Sequence, residues 1–431
     1  MAVRTTELVI IGAGPAGICA ALEAASHGVK TTLVDRGEDL GGQLIKQTHK
    51  FFGWHKKSAG TRGILIAKKL SEELLGNENI TLLHSTEALG YYDDGTLLVE
   101  TLHGIDRVQG DRLIVATGAS ERMLLFPGND LPGVYGAGAV QTLMNVHGVR
   151  PGDSVLMIGS GNIGLIVSYQ LLQAGVRVAA VVEAMPTIGG YAVHASKIRR
   201  LGVPIMTRHT IKEAYGKEQV EGAVIWELDE NWNGIPGTEK DLEVDVVCLA
   251  IGLTPLAELL WQCGAEMAYI PELGGFVPLY DETMETTRKG VFVAGDVAGI
   301  EEASTAMAAG RMAGLSAARS LGKVSDLDYS RLRNEIAGEL EGLRSGPASA
   351  KILSGIAKMR AMLQSVKEAA AVSEAEPANQ PANQPADQPA NRPAKQAASE
   401  PAKEGDLAEA GARDSEAQGN NGSKSEEAVG A

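Results

Sequence analysis

Two glycine triplets carry the clearest chemistry in this sequence. Gly12, Gly14 and Gly17 stand in GAGPAG with Pro15 and Ala16, and Gly159, Gly161 and Gly164 stand in GSGNIG with Asn162 and Ile163. In such a triplet the first glycine permits a tight turn and the second lets main chain approach a pyrophosphate. The third lets a helix pack on a strand. A helix that starts there offers free N–H groups and a partial positive charge to phosphates. An acid follows each triplet at a spacing that suits ribose hydroxyls: Asp35, with Arg36 after it, and Glu183. The pattern predicts two adenine dinucleotide sites on one chain. Glu183 favours a free ribose 2′-hydroxyl, and Ala184, Met185 and Pro186 after it supply no arginine for a 2′-phosphate. The second site is therefore expected to prefer NAD over NADP. Because these glycines also serve packing, a second site that keeps the fold without binding stays open.

Both triplets need the same scaffold. Glu7 to Asp35 runs apolar strand, glycine turn, helix, Gly-Val, second apolar strand, acid, and Ser154 to Glu183 repeats that design. Short alternating strands fill Asn79 to Thr117, and others follow the second unit through VDVVCLAIGLTP. GVFVAGDVAG ends a strand, and IEEASTAMAAGRMAGLSAARSLG reads as a helix. From Leu327 to about Val366 the pattern is helical, with a break at Ser345-Gly346-Pro347. Beyond it, PANQPANQPADQPANRPAKQ nearly lacks large apolar residues, and a disordered tail is expected.

Composition bounds the function. The chain has 431 residues, of which 44% are hydrophobic and 22% charged, as in soluble globular proteins. A net charge of −15 argues against a nucleic-acid partner. There is no stretch of membrane-span length and no signal-peptide layout, so a cytoplasmic protein is expected. The three cysteines, Cys19, Cys248 and Cys263, form no CxxC pair, and no metal is expected. Cys19 and Cys248 belong to apolar segments and should be buried, whereas Cys263 follows a short helix and is the candidate for exposure.

The landmarks together resemble the two-dinucleotide flavoprotein family that includes thioredoxin reductase. The matching stretches are GAGPAG, GGQL with Gly42, Gln43 and Leu44, and ATGA with Ala116, Thr117 and Gly118. They continue with AIGLTP, which holds Gly252, and AGDVAG, which holds Gly295 and Asp296. The resemblance implies an α/β fold with two Rossmann-like dinucleotide-binding domains of three-layer ββα architecture, short C-terminal helices and the tail. Residues 1–122 and 256–325 would form an FAD-binding domain and 123–255 an NAD-binding domain. A helical segment would cover 326–366 and the tail 367–431. It also implies that Asp296 bonds the ribityl chain of FAD. The helix containing Ala303 would point its N-terminus at the flavin, where negative charge on the reduced ring is stabilised.

The departures narrow the function. Thioredoxin reductases carry a CxxC just before the second glycine turn, where this chain reads YGAGAVQTLMNVHG. Other disulfide reductases carry a cysteine pair after the first acid, where it reads GGQLIKQTHKFFG. FPGNDLPGVYGAGAVQTLMN and AGDVAGIEEASTAMAAG are similar to a thiol-less branch, the FAD- and NAD-binding subunits of bacterial amine and imino-acid dehydrogenases. That branch includes sarcosine oxidase α, opine oxidase, dye-linked proline dehydrogenase and hydrogen cyanide synthase. The branch implies two partners: a second flavoprotein subunit, plus a small iron–sulfur or cysteine-rich protein.

Near the implied flavin, His49 is the candidate proton shuttle, because it alone there titrates near neutrality. A plain hydrogen-bonding role is the alternative. Phe51, Phe52 and Trp54 are candidates for a substrate wall, a partner surface or core. Glu301 and Glu302 could take a cationic amine or simply favour the helix start. Three functions stay open: one subunit of a larger FAD/NAD oxidoreductase, an autonomous NADH:acceptor reductase, and a scaffold with structural nucleotides. ELEGLRSGP, Glu339 to Pro347, is a candidate docking segment or a self-packing one.

Overall fold

The strand Val3–Ile11 turns from exposed to fully buried along its length, because its last residues, Leu8 to Ile11, enter the core. The computed structural model describes residues 3–51, 59–346 and 349–375. Phe52, Trp54 and the Pro-Ala tail lie outside the described residues.

Val3–Ile11 is the centre of a seven-stranded sheet. It pairs in parallel with Thr31–Val34 on one side and Gly104–Val115 on the other. Ile80–Leu83 extends the sheet beyond Thr31–Val34, and Val291–Val293 joins Gly104–Val115 in parallel. Glu87–Tyr91 and Thr96–Thr101 continue from Gly104–Val115 as an antiparallel meander. A strand buried on both faces needs a largely apolar run; LVII supplies one, and in TTLV the β-branched Thr31 and Thr32 are buried with Leu33 and Val34.

The second sheet is built the same way. Ser154–Ile158 lies between Arg177–Glu183 and Val246–Leu249, with Ile205–Thr207 and Val134–Gly136 outside them, all parallel. A three-stranded antiparallel sheet of His209–Tyr215, Gly222–Glu227 and Lys240–Leu242 lies beside it in sequence. Each unit thus has a parallel sheet, an antiparallel layer and helices.

The helix Pro15–Ser26 packs on Ala303–Ser320 at unusually short range. A Cβ on Gly310 or Gly314 would collide with the carbonyl of Ala16 or Ala20. Small residues on both helices permit this approach, which brings the Gly295-Asp296 turn against Ala16. Two further helices, Asp326–Leu343 and Ala350–Ala375, complete the described chain. The last one runs nine residues past the expected boundary at 366. Glu368 and the three alanines after it are strong helix formers, and this corrects the boundary. Among the described residues, no helix is long and apolar enough to cross a membrane.

Candidate functional site

Each glycine loop is dictated by what surrounds it. Gly12 and Gly159 sit at φ +103° and +102°, and a Cβ on either would collide with the carbonyl of Ala116 or Ala250. Only glycine satisfies both constraints. A Cβ on Gly17 or Gly164 would collide with the carbonyl of Gly12 or Gly159. Gly14 and Gly161 differ: nothing lies within 4 Å of the Cβ they lack. Each is the N-cap of its helix, Pro15–Ser26 or Asn162–Gln173, and makes no side-chain cap bond. The first-turn N–H groups at each open face suit an anion such as a pyrophosphate. This is the fit expected of a dinucleotide cradle.

The acids brace the loops. Asp35 accepts from Ala13 N at 2.5 Å and Gly37 N at 2.7 Å. Glu183 accepts from Ser160 N at 2.9 Å, Ser160 Oγ at 2.6 Å and Met185 N at 3.0 Å. An ionised carboxylate has about four acceptor positions, so each retains capacity for a ribose hydroxyl.

The duplication continues where the fingerprint ends. Six and seven residues past each acid stands a Gly-Gly pair, Gly41-Gly42 and Gly189-Gly190. Gly41 N donates to Ala13 O at 2.9 Å, and Gly190 N to Ser160 O at 2.8 Å. A Cβ on Gly42 would lie 2.8 Å from Gly14 Cα, and one on Gly190 2.9 Å from Asn162 N. Each pair straps back over its own glycine loop. At the adjoining strand ends, Ser85 and Arg208 take φ values of 48° and 57°. Ser85 N donates to Gly37 O at 3.0 Å, and Arg208 N to Met185 O at 3.1 Å. Arg208 corrects the expectation that no arginine lies near Glu183: the register Glu183↔Thr207 delivers it from the neighbouring strand.

Of the other expected residues of the first site, Gly42, Ala116, Thr117 and Gly295 lie against this loop. Pro15 opens the helix, Ala16 touches Gly295, and Leu44 is fully buried in the Gly42–Lys46 turn while Gln43 and Arg36 are exposed. Thr117 Oγ1 donates to Leu256 O at 2.7 Å, tying the ATG turn to the chain that returns from the second unit. Gly118 has nothing within 4 Å of its missing Cβ, and Gly252 only the Arg122 side chain at 3.8 Å. Asp296 is half-buried, and desolvation pushes its carboxyl up to about 6; it accepts from Glu301 N at 3.2 Å. Ala303 is the first residue of the Ala303–Ser320 helix. In the second unit, Ile163 is exposed and Asn162 Oδ1 accepts from Tyr191 N at 2.9 Å.

The stretch after Gly42 bridges the two units. Lys46 Nζ donates to Gly138 O at 2.9 Å, Asn145 Nδ2 to Lys46 O at 2.7 Å, and Gln170 Nε2 to Thr48 Oγ1 at 2.7 Å. Tyr191 OH crosses the other way to Glu302 Oε1 at 3.1 Å. His49 stacks on Phe51, and its buried Nδ1 has no hydrogen-bond partner among the described residues. Burial first, then repulsion from His194 when protonated and from Lys197, hold its pKa below the ordinary histidine value. The imidazole is therefore neutral at pH 7.

The region where thioredoxin reductases carry their thiols is filled by a carboxylate. Glu121 accepts from Gly138 N at 2.6 Å and Ala139 N at 3.1 Å, at the start of the helix Ala137–Asn145. A Cβ on Gly136 would collide with this carboxylate, and one on Gly138 would lie 2.9 Å from Lys46 Nζ. A side chain at either position, a thiol included, would have to displace the Glu121 carboxylate or the Lys46 ammonium. Burial lowers the Lys46 pKa, and Glu121 opposes that shift. All three cysteines are buried and none forms a disulfide. Cys263, expected to be the exposed one, is also buried, with Sγ 3.3 Å from Leu260 O, because its short helix turns it inward. Burial raises the Cys248 thiol well above its ordinary pKa and raises the Cys263 thiol too, which disfavours the reactive thiolate at both.

Sequence spacing did not reveal Glu121, Lys46, Tyr191 or Arg344. Glu301, a candidate for a substrate amine, is instead held by Arg344 of the chain itself, at 2.6 and 2.9 Å. The Gly189-Gly190 strap was also missed, although its offset from Glu183 repeats that of Gly41-Gly42 from Asp35.

Comparison with known proteins agrees with this geometry. The family model described as pyridine nucleotide-disulphide oxidoreductase matches residues 6–310. The chain is 27% identical to the A subunit of opine oxidase from Agrobacterium tumefaciens (strain Ach5), over 74% of this chain and 66% of that one. It is 30% identical to the alpha subunit of sarcosine oxidase from Rhizobium meliloti (strain 1021), over 81% of this chain and 34% of that one. The chain thus spans about a third to two thirds of the length of these relatives. Among solved structures it is similar to L-proline dehydrogenase from P. horikoshii, with a TM-score of 0.61 at 25% identity, covering 78% of this chain and 59% of that one. Thioredoxin reductase of T. acidophilum shares the fold, with a TM-score of 0.61 at 22% identity, covering 74% of this chain and 99% of that one. The chain belongs to the pyridine nucleotide-disulphide oxidoreductase family and is an FAD-dependent oxidoreductase.

Proposed function

We propose that the first glycine cradle holds FAD and the second holds NAD. The chain would work as the nucleotide-handling subunit of a multi-protein dehydrogenase acting on a small amine, imino acid or hydroxy acid. When both are bound, the cofactors supply hydride transfer between nicotinamide and flavin. Gly12, Gly14, Pro15, Ala16 and Gly17 would receive the FAD pyrophosphate, with Asp35 and Arg36 at its adenosine end. Gly42, Gln43, Leu44, the Ala116-Thr117-Gly118 turn, Gly252, Gly295, Asp296 and the helix from Ala303 would enclose the rest. Gly159, Gly161, Asn162, Ile163, Gly164 and Glu183 would receive NAD. Neutral His49 would accept or give up a proton at its unpartnered Nδ1.

One observation carries this reading: two equivalent cradles stand on one chain, and the region of the missing thiols is occupied by Glu121. Electrons leaving the flavin therefore need an acceptor other than a cystine of this chain. The relatives named as oxidase subunits support an acceptor on a partner, of which a second flavoprotein and a small iron–sulfur or cysteine-rich protein are the expected kinds. The test is an anaerobic titration of the purified chain with NADH, following flavin absorbance. Bleaching by one equivalent is expected. Flavin that stays oxidised in excess NADH would make the second cradle a structural one.

A further inference from the structure

We propose that Arg344, on the C-terminal extension, is a positioning residue of the FAD site: it holds Glu301 and so keeps Asp296 aligned and ionised toward the ribityl chain. The inference rests on the first cradle holding FAD. Arg344 immediately follows the helix Asp326–Leu343. Its Nε donates to Glu301 Oε2 at 2.9 Å and its Nη2 to Oε1 at 2.6 Å, a two-pronged bond between largely buried groups. Glu301 in turn gives its main-chain N–H to Asp296 Oδ1 at 3.2 Å. Asp296, Glu301, Arg344, Thr305 and Tyr280 line one small polar cavity of about 10 Å³, roughly the space of a single water.

The extension is anchored rather than draped. Arg311 on Ala303–Ser320 bridges Glu23 of the first helix and Glu339 of the extension, each at 3.0 Å. The GLR portion of the candidate docking segment is therefore committed to the flavin side of the protein.

Charge makes the arrangement consequential. The groups that face Asp296 are Glu301 on its own loop and Arg344 from the extension, with Tyr280 alongside. Arg360 of the last helix acts on Tyr280. Tyr280 is pushed up to about 12 by burial and stays neutral. Burial raises the Asp296 pKa most, the Glu301 main-chain N–H lowers it, and the Glu301 carboxylate charge raises it by a smaller amount; Arg344 is the cation paired with that charge. Without Arg344, a bare carboxylate would stand beside Asp296 and favour its protonated form. Protonated Asp296 loses acceptor capacity for ribityl hydroxyls.

The test uses the full-length apoprotein and FAD, with the dissociation constant read from flavin fluorescence between about pH 5 and pH 8. In the unaltered chain, affinity should rise through a midpoint near the Asp296 value. Arg344→Gln should move that midpoint up by about one unit. Arg344→Gln with Glu301→Gln should bring it back, which a merely structural role for Arg344 would not do. If Arg344→Gln does not fold, Glu301→Gln alone decides, and a lowered midpoint is expected. A midpoint unmoved in Arg344→Gln, unrestored in the double variant, or unmoved in Glu301→Gln overturns the proposal. Failure of the unaltered chain to bind FAD at any pH would instead remove the reading on which it rests.

Discussion

The two glycine cradles are built alike at the floor and differently at the rim. Both use a glycine pressed on a carbonyl, an acid that braces the loop, and a Gly-Gly strap. The first cradle has an additional wall, the Gly295-Asp296 turn and the helix Ala303–Ser320, pressed on Ala16 without room for a Cβ. The second has no such wall among the described residues; its strap ends in half-exposed Tyr191. A cradle closed on several sides suits a resident cofactor, and one closed on fewer suits a cosubstrate that comes and goes. The straps also cross: the first leads to Lys46, which reaches Gly138, and the second to Tyr191, which reaches Glu302.

The comparison is broken most severely at the packed glycines. Gly17→Ala and Gly164→Ala each drive a methyl into a carbonyl oxygen. Each should cost about 3 kcal/mol in denaturant unfolding. Gly17→Ala should yield colourless protein, whereas Gly164→Ala should stay yellow but lose bleaching by NADH. Next come the open glycines. Gly14→Ala and Gly161→Ala meet nothing in the protein, so the ligand-free melting temperature should hold. Dinucleotide affinity should fall more than about tenfold, a loss near 1.4 kcal/mol, for FAD in one variant and NADH in the other.

A third effect belongs to the first cradle alone. Asp296 is raised from the ordinary carboxylate value to about 6, so between those values the folded apoprotein holds a proton that the unfolded chain releases. Its stability should fall as pH rises from about 4 through about 6, by up to about 3 kcal/mol. Asp296→Asn should flatten this slope in urea titrations across that range. The smallest effect sharpens the second cradle. Arg208→Ser copies the residue at the equivalent place in the first unit. It should weaken NADPH binding by a few-fold and leave NADH unchanged, measured by calorimetry.

What could be read from sequence was what is local. A triplet, its acid and the strands that flank them lie within about 30 consecutive residues, and their spacing alone defines the turn. Glu121, Arg344 and Tyr191 escaped because each meets its partner across a long stretch of chain: Glu121 reaches Gly138 across a strand and a turn, and Arg344 reaches Glu301 across two helices. No periodicity encodes such a contact. Cys263 escaped for a related reason, since a five-residue helix has too few positions to reveal its buried face. Gly189-Gly190 was legible in principle, because it repeats the offset of Gly41-Gly42 from the preceding acid. The extra helical turns after Val366 were legible too, in the alanine run.

The central claim is that reducing equivalents pass between dinucleotides held in two cradles of one chain. It is tested most directly by the anaerobic rate of flavin reduction as a function of NADH, compared between the unaltered chain and Gly161→Ala. The account predicts saturation in the first, and in the second a half-saturating NADH concentration raised more than about tenfold at unchanged flavin content. Equal curves for the two proteins, or no reduction in either, would contradict it.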